Sequence, residues 1–130
     1  MERMGSEMPF SKEERGDSIV AVWEGEGVCV SSAQDALDLL VNARYEFGAR
    51  ALILPKSAIA EAFFDLRTGL AGEVLQKFVN YRLALCILGD FSGYGSKALR
   101  DFIYESNKGG RILFLNDREE ALSRLHALQE

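Results

Sequence analysis

Histidine and tryptophan occur once each, and proline and cysteine twice each, among 130 residues. A single histidine, His126, cannot assemble a usual zinc site with two distant cysteines, and no Cys-x-x-Cys spacing is present, so no metal is expected. Cys29 and Cys86 both sit in apolar runs (GVCVSS and LALCILG). In a reducing compartment they read as small buried hydrophobes rather than as a disulfide. His126 stands next to the C-terminus on the last predicted helix, where a solvated face is expected. No motif pairs it with a serine or cysteine nucleophile. A hydrolase would then need a carboxylate or lysine as its base, and no recognisable pair stands out. No catalytic residue and no cofactor are assigned.

Positive charge is also in short supply. Fifteen Lys and Arg face twenty Asp and Glu, a net charge of -5. Nucleic-acid binders usually present a basic face to phosphates, and anionic membranes attract basic ones, so neither partner is expected. No run approaches the roughly 18 apolar residues of a membrane span. Residues 1–17 lack the apolar middle of a signal peptide, which points to a cytoplasmic protein. Met4 and Met8 leave open a later true start.

What is present is an ordinary globular mixture, 48% hydrophobic and 27% charged, at the size of one domain. Residues 1–17 are polar and aperiodic and are expected to form a mobile tail. A single α/β domain is expected over 18–130. Ser18–Trp23 is β-rich, and Val28–Val30 resumes after a Glu-Gly-Glu-Gly stretch, so two strands joined by a tight turn are predicted. Ser32 with Asp35 resembles a capping box, Leu37, Leu40, Val41 and Tyr45 follow at helical spacing, and Gly48 supplies the stop. Ala51–Leu54 is a short strand ended by Pro55. Ser57 can cap a helix running through Ile59, Ala62, Phe63 and Leu66. Thr68 opens a further helix with Leu70, Ala71, Val74, Leu75, Phe78 and Val79 on one face. Gly69 and Gly72 weaken its start, which close packing, or a ligand, would explain.

Leu83–Leu88 is a continuous apolar run, the mark of a strand covered on both faces. A glycine-rich loop, Gly89–Gly95, leads to Ser96, the cap of a helix with Leu99, Phe102 and Ile103 inward. Gly109 and Gly110 end that helix. Ile112–Leu115 is the last strand, and Asn116 or Asp117 caps a final helix with Ala121, Leu122, Leu125 and Leu128 inward. The order β-β-α-β-α-β-α-β-α implies an α/β fold with a mostly parallel or mixed sheet of about five strands.

Three stretches carry a resemblance: Phe63–Tyr81 (FFDLRTGLAGEVLQKFVNY), Gly89–Ser92 (GDFS) and Ser96–Gly109 (SKALRDFIYESNKG). Together they resemble a bacterial domain-of-unknown-function family, the one numbered 4180, over about residues 18–126. The resemblance carries no activity with it. Leu66-Arg67-Thr68-Gly69-Leu70 is similar, at the level of fold, to the Asp-Ser-Ser-Gly-Leu stretch that opens a helix in STAS domains, the anti-sigma-factor antagonists. There the first serine is the phosphorylation site. Here Arg67 takes that position and Thr68 offers the only hydroxyl. The resemblance implies a STAS-like architecture and a partner-binding face.

Two functions follow from these residues. The first is a non-catalytic regulatory module with a protein partner or a homodimer face. Phe63 and Phe64 are adjacent and cannot both face inward on one helix, so an exposed interaction patch is expected around Phe63, Phe64 and Tyr94, the alternative being burial between two layers. The second is a binding protein for a polar or anionic small molecule, or an enzyme, using the strand-end loop 89–96. Asp90, Ser92, Ser96 and Arg100 would orient the ligand and Arg67 would pair with its charge. The spacing is not a Walker loop, and Asp90 would repel a phosphate. Each candidate has a plainer reading. Asp90 and Ser92 can satisfy loop backbone, Ser96 can be only a cap, and the surrounding charges can pair internally, as Glu73 with Lys77.

Overall fold

The structure is a computed structural model and describes residues 8–129. Five strands form one mixed sheet in the order β1-β2-β3-β4-β5. They are β1 Phe10–Arg15, β2 Ser18–Trp23, β3 Ala51–Pro55, β4 Ala84–Leu88 and β5 Ile112–Leu115. The helices are α1 Ala33–Phe47, α2 Leu70–Tyr81, α3 Lys97–Gly109 and α4 Arg118–Leu128. Strands β2 to β5 are parallel, and β1 is antiparallel to β2. No helix among the described residues is long and apolar enough to cross a membrane.

Side-chain alternation divides the core in two. Ala21, Leu52, Leu54, Leu85, Ile87 and Phe114 point to the face covered by α1, α2 and α3. Val20, Val22, Ala51, Ile53, Cys86 and Leu113 point to the other face, covered by α4 alone through Ala121, Leu122 and Leu125. Three successive crossovers of one hand, in strictly sequential strand order, put their helices on the same side. Each fully buried Leu or Ile contributes about 1.5–3 kcal/mol of burial. Cys86 is fully buried, which pushes its thiol up to about 12. Cys29 is half-buried, with its thiol raised to about 11, chiefly by burial. The two are not bonded to each other.

The helix caps follow the sequence closely. Ser32 accepts from the Asp35 N–H, Ser96 from Leu99 and Asp117 from Glu119. Helices α1 and α3 end on left-handed glycines, Gly48 and Gly110. The outer edge of β5 is occupied by one side chain. Asn107 donates to the Phe114 carbonyl (3.2 Å) and accepts from its N–H (2.7 Å). That blunts an edge which would otherwise offer unpaired backbone to another strand.

Four expectations are corrected. Residues 10–15 of the expected tail are strand β1, turned into β2 by a two-residue loop whose Gly16 has φ 62. Phe10 packs edge-on against Trp23 and Phe47, and Glu13 meets Arg118 of α4 at 3.1 Å, so a polar edge strand is held from both faces. The part of the expected tail before residue 8 lies outside the described residues. Val28–Val30 does not return against β2. It instead pairs with the 58–60 segment through a Val30–Ile59 bridge. The predicted helix over 57–66 is a chain of three short 3-10 turns, Lys56–Ala58, Glu61–Phe64 and Leu66–Thr68. Finally, His126 is buried, not solvated, with Ser18 Oγ 2.5 Å from its Nδ1. It lies on the inner stripe of α4, one residue after Leu125.

Nor does close packing explain the glycines at the start of α2. A Cβ at Gly69 or Gly72 would meet nothing within 4 Å. Gly69 is required by its φ of 80, and nothing in the structure explains Gly72.

Two expectations can be measured. Desolvation, then Arg15, hold the His126 ring below its ordinary pKa, with Glu13 opposing. The folded state thus prefers the neutral ring. Its contribution is fully present above the unfolded pKa of about 6.5 and is lost as pH falls below that value toward the folded pKa. The melting temperature should fall between pH 7.5 and 5.5, and a His126→Gln variant should have a shallower slope. Arg82, which closes α2, is the one non-glycine among the described residues with positive φ, at 57. Arg82→Gly should therefore raise stability by about 1 kcal/mol in chemical denaturation.

Candidate functional site

The parallel register sets Pro55 beside Leu88, so the residues that follow each strand meet at the C-terminal edge of the sheet. These are Lys56 and Gly89. A Cβ on Gly89 would lie 2.6 Å from Lys56 Cβ, so glycine is what lets the two segments close. From there the half-buried Lys56 side chain runs under two aromatic rings. Its Nζ is 5.0 Å from the centroid of Tyr94 and 5.3 Å from that of Phe64. Phe64 and Tyr94 stack with centroids 5.4 Å apart. The Tyr94 hydroxyl donates to Glu61 Oε2 at 2.7 Å, and Glu61 Oε1 is 3.9 Å from Lys56 Nζ. The Tyr94 hydroxyl, aided by Glu61 and Asp90, holds the Lys56 ammonium above the usual lysine range. Burial raises Tyr94 as well, against the pull of Lys56.

This lysine clamp ties the 61–64 turn to the loop after β4. Beside it runs an open groove of about 430 Å³. The 3-10 turns give it Phe64, Leu66 and Arg67, the loop after β4 gives it Tyr94 and the cap Ser96, and the first turn of α3 gives it Ala98. Of the residues expected at a site, Arg67, Ser96, Phe64 and Tyr94 do converge. Asp90, Ser92 and Arg100 do not line the groove.

The polar candidates are also occupied. Arg67 makes two bonds to the Asp65 carboxylate, 3.0 and 2.9 Å, which hold that carboxyl below the usual range. Asp90 accepts from the Ser92 hydroxyl (2.6 Å) and N–H (2.9 Å), and is lowered by them and by Lys56. Arg100 donates to the Gly95 carbonyl at 3.0 Å. Thr68, the one hydroxyl of the Leu66–Leu70 stretch, donates to Ala62 O and Asp65 O and accepts from the Leu70 N–H. Glu73 and Lys77 do not form the expected pair among the described residues; Lys97 pairs with Asp101 and Lys108 with Glu105 instead.

The expected aromatic patch is corrected. Phe63 and Phe64 are 0% and 4% exposed. A 3-10 turn at the junction of two layers lets neighbours point to different parts of one core, which a surface helix cannot. Phe63 reaches Phe114, and Phe64 reaches Phe91 and Tyr94. Lys56 and Glu61 were not legible as site residues. The available signals were a lysine directly after a strand-ending proline and a glycine directly after the next strand.

The chemistry at this edge is limited. Among the described residues no three His, Cys, Asp or Glu are grouped to hold a metal. Ser18 and His126 do touch, but both are buried at the far end of β2, and His126 Nε2 has no partner to orient the ring. Sequential strand order also provides no reversal point, where open α/β sheets usually form their ligand crevice.

Fold and site together define a small α/β domain with a mixed sheet, helices on both faces and a clamped loop edge. The chain belongs to the family described as Domain of unknown function (DUF4180), whose family model matches residues 15–125. No curated protein and no solved structure matches it.

The clamp makes a direct prediction. Gly89→Ala forces Lys56 Cβ, not a flexible chain end, to move. We expect a loss of about 1–3 kcal/mol in chemical denaturation.

Proposed function

We propose that the chain is a non-catalytic protein-interaction module, regulatory rather than chemical in role, that receives a peptide segment of a partner in the 61–67/94–98 groove. The observation that carries this reading is the self-satisfaction of the loop edge. Arg67 is held by Asp65, Asp90 by Ser92, Arg100 by Gly95, and Lys56 by Glu61 and the rings. A small anion would have to break these pairs. A peptide would not. The groove offers apolar surface from Leu66, Tyr94 and Ala98 for an anchor side chain, over the buried ring of Phe64. Glu61, Asp65 and Arg67 at its rim, with both signs of charge, suit backbone and polar neighbours.

Ala98 is exposed in the first turn of α3, where an acidic side chain is compatible with the helix dipole. Ala98→Glu therefore fills the groove without attacking the fold. In a phage-displayed peptide selection, the wild-type chain should enrich peptides with an apolar anchor. Their binding to Ala98→Glu should fall at least tenfold with the melting temperature unchanged. Equal binding to the variant, or no enrichment over it, would overturn the reading. A small molecule retained in native mass spectrometry and lost in Arg67→Ala would replace it with the strand-end ligand site.

A further inference from the structure

We propose that the opposite end of the sheet binds a phosphate-bearing small molecule through Arg50, Arg82 and Arg111. Each of these arginines stands where a helix hands over to the next strand: after α1, after α2 and after α3. Parallel strands in sequential order bring the three connections side by side. The three side chains line one depression of about 290 Å³, together with Ala84, Leu128 and Gln129.

No Asp or Glu lines that depression, and among the described residues none of the three arginines is in an ion pair. This concentration of positive charge stands on a chain of net charge -5, so it is no reflection of a basic surface. Capping of helix ends accounts for part of the cluster only. Arg111 donates to the Arg82 carbonyl at 3.2 Å, and nearby Arg44 donates to Tyr81 O. The guanidiniums of Arg50 and Arg82 have no such partner among the described residues.

Arg82 adds an independent observation. At the equivalent position α1 and α3 use glycine, with φ 69 and 86, but α2 places arginine there at φ 57. A side chain kept in a left-handed conformation, where its neighbours use glycine, marks strain retained for a purpose other than stability.

The ligand class follows from charge and shape. Planar guanidinium forks match the paired oxygens of a phosphate. The carbonyl ends of α1, α2 and α3, and that of α4 at Leu128 and Gln129, face this end and oppose an anion, each with about half a negative charge and about two charges together. Three full positive charges outweigh them and favour a dianion or pyrophosphate over a single carboxylate. A neighbouring depression of about 310 Å³ shares Arg82 and Arg111 and adds Val79, Leu83 and Ile112, giving an attached apolar group a place to lie.

The test is an NMR titration of the full chain with inorganic phosphate and with pyrophosphate, against sodium chloride at equal ionic strength. Saturable shifts are expected at the amides of Arg50, Arg82 and Arg111, at lower concentration for pyrophosphate. Arg82→Gly should weaken binding at least tenfold while its melting temperature rises, which a purely structural arginine would not do. Arg50→Gln should weaken it as well. Shifts that follow ionic strength alone, or an Arg82→Gly variant that binds like the wild type, would overturn the proposal. Ala98→Glu should leave the phosphate response intact and Arg82→Gly the peptide response, so either site can fail without the other.

Discussion

Strands β3 and β4 lie in the middle of the sheet with apolar side chains on both faces, so both faces need a cover. The chain meets this demand unequally. Three crossover helices fall on one side because the strands follow one another in order without a reversal. One helix is left for the other side, and α4 has to lie across the sheet, touching β2, β4 and β5. Most other features are consequences. His126 is buried because α4 alone must cover that face, and Ser18 at the start of β2 meets it there.

Sequential order also shapes the two ends of the sheet. At the C-terminal edge the loops lie side by side without a crevice between diverging helices. They close on each other through Lys56 over Gly89 and under Phe64 and Tyr94. At the other end, the C-termini of all four helices meet the starts of β3, β4 and β5, and an arginine enters from each of the three helix-to-strand connections. One edge is thus neutralised by its own pairs, while the other holds cations without described acidic partners. Regulatory binding at the first and anion binding at the second are proposals of different kinds, resting on different residues.

Local chemistry was easy to read where one residue decides the outcome. Ser32, Ser96 and Asp117 cap their helices, and Gly48 and Gly110 end theirs, because a side-chain oxygen or a missing Cβ acts within one turn. The 57–66 segment was harder. Its apolar spacing suits a helix, but the segment must bridge β3 to α2 while Ala58 and Ala60 bond to the 29–30 backbone, and short 3-10 turns meet both demands. Strand β1 is not legible in the sequence because FSKEER shows no apolar alternation. Its partners, Trp23, Phe47 and Arg118, come from three other elements.

The sequence by itself determined the α/β class, most helix and strand positions, the caps and the apolar residues of the inner strands. These depend on periodicities and on contacts a few residues apart. Tertiary structure alone decided which residues share a site. It placed Phe63 and Phe64 inside, His126 against Ser18, Lys56 beneath Tyr94, and Arg50, Arg82 and Arg111 around one depression. Such meetings join residues about 30 to over 100 positions apart. They are set by strand order and register, which no local pattern encodes.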